Sequence, residues 1–376
     1  MQRTRAFLLS LAGLLGASTA NAQSRGAATG WAEVSEPGGD FYFTESLDLR
    51  GVLRPSAGVL VDYSYPPATV RGAQLVRDRV AMHLRGTLVI GDRLRIGASM
   101  PAVAFQHGND LVDGGSVILR AGERAAFGDL RLTSDVRVFG TYTKRIRGAV
   151  GLAVTLPTGS RDQYTSDGVV KVAPRIMLAG NFHDLVGAVK VGMTFRTATP
   201  DFAGRELAHD AFFAASAGIK VNDRFVLGPE ILGTATITGA NALSKRSFPV
   251  ELLLGGRVRI ADDFQLGSSI GGTVTSADGA PSLRVLALAE WTPDPCVDKD
   301  GDGICATEDA CPMVDGVRTG DPRTNGCPLD RDRDGVPDRV DRCPDTAGPR
   351  REDAAHSGCP DDEPLPEDTE PEAPQR

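Results

Sequence analysis

The sequence predicts an all-β chain: an antiparallel transmembrane β-barrel of about 12 strands, followed by a unit of cysteine-containing repeats. Apolar and polar residues alternate over most of residues 56–292, as in strands that have one apolar and one polar face. Long and short connections alternate between these strands, which is typical of barrels that cross a membrane. Beyond residue 292, aspartates and cysteines recur at a spacing of 32 residues, which indicates a repeated structural unit.

The N-terminus has the features of a secretory signal peptide, predicted at residues 1–22. Arg3 and Arg5 precede an apolar run at residues 6–16, which is too short to span a bilayer, and Ala20-Asn21-Ala22 matches a signal-peptidase site. No cysteine follows this site, so a lipoprotein anchor is not expected. The mature chain is predicted to begin at Gln23 and to be exported, with residues 23–55 as an N-terminal linker to the barrel.

The predicted barrel, residues 56–292, shows its alternation clearly near residue 130. Leu130, Leu132 and Val136 are apolar, whereas the intervening positions are mostly charged or polar. Because successive side chains of a strand point to opposite faces, one face is apolar and the other charged. Twelve segments follow this pattern: 56–65, 78–90, 92–102, 128–140, 146–156, 168–180, 184–198, 210–221, 224–238, 248–260, 263–275 and 282–291.

Alternation alone does not decide which face points inward, so a soluble β-sandwich or barrel is the competing interpretation. Three features favour the membrane: the signal peptide, the alternation of long and short connections, and a last strand that ends on the aromatic Trp291. An even number of strands returns both ends of the barrel to the same side. No run of 18 apolar residues follows the signal peptide, so a transmembrane helix is not expected.

The polar face of the predicted strands is rich in basic residues, which the barrel would turn toward its lumen. Charges in a lumen must be paired or hydrated, so the interior is either filled by salt bridges or forms a narrow pore that favours anions. The basic residues are Arg79, Arg85, Arg93, Arg95, Arg131, Arg137, Lys171, Arg175, Arg257, Arg259 and Arg284. The acidic residues are Asp129, Asp135, Glu230, Glu251 and Glu290.

Residues 293–362 contain two aspartate loops that predict calcium sites. Alternating carboxylates followed by a glycine supply oxygen ligands and a sharp turn, which suit Ca²⁺ better than Zn²⁺ or Mg²⁺. The predicted ligands of the first loop are Asp298, Asp300, Asp302, Asp309 and the carbonyl of Ile304. Those of the second loop are Asp330, Asp332, Asp334, Asp338, Asp341 and the carbonyl of Val336.

All six cysteines lie in the repeat unit, and we expect disulfides there. Cys311 and Cys327 have the same separation as Cys343 and Cys359, which suggests one disulfide in each repeat and leaves Cys296 with Cys305. A zinc–thiolate site is the competing interpretation. The absence of a CxxC motif and the predicted oxidising compartment favour disulfides.

Two resemblances accompany these patterns. The motifs DKDGDGIC, DRDRDGVPDRVDRCP and two GCP tripeptides resemble thrombospondin type 3 repeats, in which calcium ions are wrapped by a rod with little hydrophobic core. The barrel motifs FGDLRL, LPTG, GPE and PVELLLGGRVRI resemble OmpA-family outer-membrane proteins that carry such repeats. The family's usual peptidoglycan-binding domain is not recognised, since residues 363–376 read as a disordered acidic, proline-rich tail, so wall anchoring is not carried over.

The net charge changes sign at the boundary between the predicted barrel and the repeat unit. Residues 293–376 hold 10 basic and 23 acidic residues, and residues 1–292 hold 31 basic and 26 acidic residues. An acidic unit suits bound cations. The sequence therefore predicts a non-enzymatic barrel in the outer membrane, in contact with its lipid, with a periplasmic calcium-binding stalk that stabilises the envelope or docks a periplasmic protein partner.

The sequence leaves two alternative functions open: a passive outer-membrane channel that favours anions, and a soluble exported calcium-binding adhesion protein. No Ser–His pairing or phosphate loop indicates catalysis, no small-molecule substrate is identified, and no basic aromatic patch indicates nucleic acid.

Overall fold

A computed structural model describes residues 26–293 and 299–360, apart from 29, 143, 204, 223, 241, 245–246, 262, 276, 278, 307 and 355–356. The predicted signal peptide, Cys296, Asp298 and the predicted acidic tail lie outside the described residues. The chain divides into two compact units, Met1–Pro293 and Asp294–Arg376. Within the described residues, no helix is long and apolar enough to cross a membrane.

The first unit is a closed antiparallel barrel of twelve strands, which confirms the predicted fold class. Each strand pairs with its neighbours in sequence, and the first strand closes the barrel by pairing with the last from Ala57↔Trp291 to Tyr65↔Leu283. The strands are β1 Leu53–Tyr65, β2 Asp78–Ile90, β3 Leu94–His107, β4 Leu130–Phe139, β5 Ile146–Leu156, β6 Lys171–Phe182, β7 Leu185–Arg196, β8 Asp210–Asn222, β9 Phe225–Thr236, β10 Val250–Ala261, β11 Phe264–Thr273 and β12 Leu283–Trp291.

The connections alternate in length around the barrel. At one end, here called the short-turn end, they are residues 91–93, 140–145, 183–184, 223–224 and 262–263. At the other end, the long-connection end, the larger loops include the short hairpins Ala68–Val70/Ala73–Val76, Leu111–Asp113/Ser116–Leu119 and Asp201–Phe202/Arg205–Glu206. The strand Ala126–Phe127 pairs with β3 at this end.

Exposure along the strands is the reverse of that in a water-soluble protein. On β4, Leu132 is 43% exposed, whereas Arg131 is 7% and Asp135 is 0% exposed. The same inversion runs around the barrel, with exposed Val150, Ile176 and Leu254 on the outside. A continuous exposed apolar surface marks contact with lipid or protein, and the soluble interpretation, with its apolar face inward, is therefore wrong.

The second unit consists of turns stapled by disulfides. Cys311 bonds to Cys327 and Cys343 bonds to Cys359, the two pairs that the equal spacing suggests. Cys305 is also disulfide-bonded. In the described residues of this unit, regular β-pairing is limited to the bridge between Val317 and Cys327. In the described part of this unit, the buried apolar side chains are those of Ile304 and Val336, so covalent links take much of the role of a hydrophobic core.

Candidate functional site

The barrel lumen is occupied by residues 26–52, here called the internal segment. At the long-connection end, the Ala28 N–H donates to Asp167 at 3.0 Å and the Trp31 indole N–H donates to the Tyr164 carbonyl at 3.1 Å. At the short-turn end, the Gly91 N–H donates to the Val52 carbonyl at 2.9 Å. The predicted linker, residues 23–55, therefore contains a stretch that crosses the lumen from end to end.

Apolar side chains hold the middle of the internal segment against the wall. Phe41, Leu47 and Leu49 are at most 3% exposed and pack in one cluster with the inward-facing Met177 and Val226. A second cluster joins segment residues to the other side of the wall, and its members include Val34, Tyr42, Phe43, Leu60, Leu253 and Leu286. Burying such side chains stabilises a structure by about 1.5–3 kcal/mol each, so these contacts stabilise the segment inside the lumen.

On the inner face of the barrel wall, pairs of buried arginines share a single carboxylate. Asp135 accepts hydrogen bonds from both Arg95 and Arg175, each at 2.7 Å. Glu290 likewise receives Arg85 at 2.7 Å and Arg257 at 3.0 Å. A guanidinium carries five N–H donors, so one shared carboxylate leaves part of each arginine to be satisfied elsewhere.

The internal segment supplies the missing acceptors. The Glu45 carboxylate accepts a hydrogen bond from Arg95 at 2.9 Å. The Glu36 carboxylate accepts hydrogen bonds from Arg131 at 3.3 Å and from the Thr133 hydroxyl at 3.0 Å. Backbone carbonyls of the segment accept hydrogen bonds from other guanidinium groups of the wall. They are the carbonyls of Ser35 for Arg85, Gly39 for Arg257 and Ser46 for Arg147. Buried arginines on the wall thus depend on a part of the chain that is not in the wall.

At the short-turn end, Asp48 joins the segment to the start of β1. Its carboxylate receives Arg50 at 2.9 Å and Arg54 at 3.1 Å. Burial raises the pKa of Asp48, but the hydrogen bond and charge of Arg50 and the charge of Arg54 outweigh it and lower the pKa to about 2.

Most of the predicted lumen charges lie where the strand register placed them. Arg93 is an exception, because it is exposed in the turn between β2 and β3. Arg137 and Arg259 are half-buried near the short-turn end. Lys190 and Arg147 were not among the predicted lumen charges, although both are 2% exposed and face the lumen. Their alternation with apolar neighbours was the signal that could have identified them.

The repeat unit brings its aspartates together in two groups. Asp300, Asp302 and Asp309 have carboxylate oxygens within 4.8 Å of one another, as do Asp330, Asp332 and Asp334. Asp338 instead receives the backbone N–H of Arg331 at 2.9 Å and lies 3.6 Å from its guanidinium. Ile304 and Val336, whose carbonyls were predicted ligands, have buried side chains.

The two aspartate loops have the same internal hydrogen bonds. The Asp302 carboxylate accepts hydrogen bonds from the backbone N–H of Ile304 at 2.8 Å and of Gly316 at 3.1 Å. The Asp334 carboxylate accepts the equivalent bonds from Val336 at 2.7 Å and Gly348 at 2.8 Å. Asp309 and Asp341 receive the N–H of Cys311 and Cys343, both at 2.7 Å. The 32-residue repeat of the sequence is therefore a repeat of three-dimensional structure.

Several carboxylate oxygens of the second loop have no hydrogen-bond partner among the described residues. They are Asp330 Oδ1, Asp332 Oδ2 and Asp341 Oδ2, and all three are inaccessible to solvent. Asp341 as a whole is 8% exposed. A buried carboxylate oxygen without a partner is costly, and a hard cation bound to it would remove that cost.

Comparison with solved structures finds outer-membrane barrels that act as channels. An outer membrane channel from Pseudomonas putida F1 is 14% identical, with a TM-score of 0.49 over 69% of this chain and 100% of that chain. The NanC porin is 8% identical, with a TM-score of 0.42 over 63% and 99%. The CymD monoaromatic hydrocarbon channel is 9% identical, with a TM-score of 0.36 over 64% and 88%.

At TM-scores below 0.5, these likenesses establish neither a shared family nor a shared function. No family model matches the chain, and no curated protein matches it. Membership of the OmpA family and the thrombospondin type 3 assignment remain predictions.

Proposed function

We propose that the protein is a passive outer-membrane channel that favours anions when it is open, and that the internal segment closes it. The supporting observation is the charge balance of the lumen. Among the described buried residues of the twelve strands, ten are basic and five are acidic. The internal segment adds five carboxylates, those of Glu33, Glu36, Asp40, Glu45 and Asp48, against the single basic Arg50.

This distribution favours a channel over a purely structural barrel. A structural barrel can balance its lumen charges within the wall, by ion pairs between neighbouring strands. Here the balance comes from a segment that is linked to the wall covalently only through β1. If the segment left, the surplus of arginine would face water and attract anions.

Planar-bilayer conductance tests the proposal. Full-length protein should show rare, small openings, and a variant in which residues 26–50 are replaced by a Gly/Ser linker should show larger, sustained steps. In a KCl gradient, the reversal potential of that variant should indicate selectivity for chloride. A variant in which the exposed hairpin residues 112–117 are replaced by a Gly/Ser linker is the matched control and should behave like the full-length protein. Equal conductance of all three would contradict the channel.

The second unit carries a second candidate function, calcium binding. The unpartnered oxygens of Asp330, Asp332 and Asp341 support it, together with the repeated loop geometry. When bound, Ca²⁺ would draw these carboxylates together and neutralise part of the acidic unit. Short turns of outer-membrane barrels face the periplasm, and β12 ends on that side, so we assign the repeats to the periplasm, where they could dock a protein partner or stabilise the envelope.

Calorimetric titration of Ca²⁺ into the full-length protein tests this site. Asp341→Asn should weaken binding, whereas Asp345→Asn should not, because Asp345 is an exposed residue paired with Arg331. Removal of Ca²⁺ should increase tryptic cleavage within residues 299–360 and leave the heat-modifiable migration of the barrel unchanged. Joint unfolding would contradict two independent units, and unchanged binding in Asp341→Asn would contradict the site.

A further inference from the structure

A cavity of about 250 Å³ lies in the lumen between the internal segment and the wall. Trp31 and Glu33 of the segment line one side, and Thr155, Phe212 and Pro249 line the other, toward the long-connection end. Sites for drug-sized ligands usually measure about 300–1,000 Å³. The cavity therefore suits a small molecule, on the scale of a single ring.

One part of the cavity wall is apolar. Phe43, Phe212, Phe213 and Leu232 contribute to it, and Trp31 covers it from the segment side. The indole of Trp31 is fixed, because its N–H donates to the Tyr164 carbonyl and its ring lies 4.0 Å from the Arg79 guanidinium carbon. An apolar ring or short aliphatic body would be removed from water here.

Another part of the cavity wall is basic. Arg131, Lys171 and Lys190 all line it. Three carboxylates also line the cavity, and each pairs with a basic side chain: Asp129 with Lys171, Asp210 with Arg196 and Glu251 with Arg284. Lys171 lies 3.2 Å from Asp167, but Lys190 has no carboxylate partner among the described residues. The Lys190 ammonium donates to the Glu33 carbonyl at 3.3 Å and is 2% exposed. A buried ammonium normally has an ionic partner, so Lys190 is available to an anion inside the cavity.

The Glu33 carboxylate lies in this basic region but is poorly placed for hydrogen bonds to the basic groups. Its carboxylate lies 3.9 Å from Arg131, and its Oε2 accepts no hydrogen bond from the described residues. The side chain is 31% exposed. The attraction is therefore electrostatic and without directed hydrogen bonds, which are the stronger form of such contacts.

We propose that this cavity binds a small monocarboxylate with an apolar body, of the size of a benzoate, and that the ligand carboxylate competes with Glu33 for Lys190 and Arg131. The ligand's ring takes the apolar wall and its carboxylate takes the unpartnered ammonium. This inference rests on the proposed channel function and deepens it by naming a substrate class.

Binding of benzoate to the full-length protein in detergent tests the proposal. Trp31 and Trp291 are the two tryptophans of the chain, so a Trp291→Phe background makes the fluorescence report on the cavity, with calorimetry as a second measurement. Benzoate should bind saturably and about tenfold more tightly than benzyl alcohol, which lacks the charge, or acetate, which lacks the ring. Equal binding of benzyl alcohol, or no saturable signal in either measurement, would overturn it.

Two variants separate competition from a general effect on the fold. Glu33→Gln removes the competing charge from a partly exposed side chain, so benzoate should bind several-fold more tightly. Lys190→Met removes the ammonium, and binding should weaken by about tenfold. Glu206→Gln, at an exposed position in a loop hairpin, should change neither value. Weaker or unchanged binding in Glu33→Gln would overturn the competition.

The two proposals fail in different ways. Benzoate binding without conductance in any variant would reject the channel and keep the site. Conductance after replacement of residues 26–50, with no benzoate binding to the full-length protein, would keep the channel and reject the site.

Discussion

The Glu45 carboxylate of the internal segment lies 2.9 Å from the Arg95 guanidinium on β3, and both side chains are buried. Arg95 is held from its other side by Asp135, which also holds Arg175. The contact thus joins the internal segment to the ion-pair network of the wall.

Glu45→Gln should favour opening of the channel. The substitution keeps the shape of the side chain and removes its charge, so Arg95 retains one ionic partner in place of two. We expect the closed state to lose about 2–3 kcal/mol, seen as a higher frequency of openings in planar bilayers. Glu206→Gln serves as the control, and an opening frequency equal to that of the unmodified protein would show that this pair does not hold the segment.

Gly151→Ala should destabilise the barrel. A Cβ at Gly151 would lie 2.0 Å from Asp135 Oδ1 and 3.0 Å from Arg175 Nε, so the ion pair would have to move. Overpacking of this kind costs about 1–3 kcal/mol, measurable by urea unfolding in lipid vesicles. At Gly86, the nearest atom to a Cβ is a backbone oxygen at an ordinary 3.8 Å. Gly86→Ala should therefore be close to neutral, and equal losses in the two variants would contradict the steric cause.

Acid should loosen the short-turn end of the internal segment. The pKa of Asp48 is lowered to about 2 in the folded state, against about 3.9 in an unfolded chain. The stabilisation is therefore fully present above about pH 5 and is lost as the pH falls through 4 to below 2, by about 2.6 kcal/mol in all. In Asp48→Asn this part of the pH dependence should disappear, as measured by urea unfolding in lipid vesicles between pH 2 and pH 5. The same pH profile in both proteins would exclude Asp48 as the cause.

Reduction of the disulfides should destabilise the second unit and leave the barrel intact. Each of the Cys311–Cys327 and Cys343–Cys359 links closes a loop with a sequence separation of 16, for which the loss is about 3 kcal/mol. Tryptic peptides from residues 299–360 should appear faster after reduction, as measured by mass spectrometry. No cysteine lies before residue 296, so faster cleavage within the barrel would show that the two units are not independent.

The strands were predictable because the period of two leaves a direct trace in the sequence. The segment at 146–156, for example, is also the observed β5. Inward-facing Arg131 and Asp135 follow from the same register. Which face of the strands points inward could be decided only from the structure, because the alternation is identical in a soluble sheet and in a membrane barrel.

The internal segment could not be predicted from periodicity, because its backbone forms turns and bends and no strand. Phe41, Tyr42 and Phe43 are consecutive, and their contacts depend on the curvature of the wall around them. One indirect signal existed. The predicted lumen had eleven basic and five acidic residues, so the wall alone could not neutralise itself, and Glu36 and Glu45 were the missing carboxylates.

Covalent continuity between the internal segment and β1 has a consequence for assembly. The ring closes at a single seam, where β1 meets β12 along Ala57↔Trp291 to Tyr65↔Leu283. Three aromatic side chains in a row would have to be threaded through a finished ring if that seam formed early. We therefore expect the sheet to close around the segment during folding, so that the pairing of β1 with β12 forms last and the step that completes the barrel also encloses the segment.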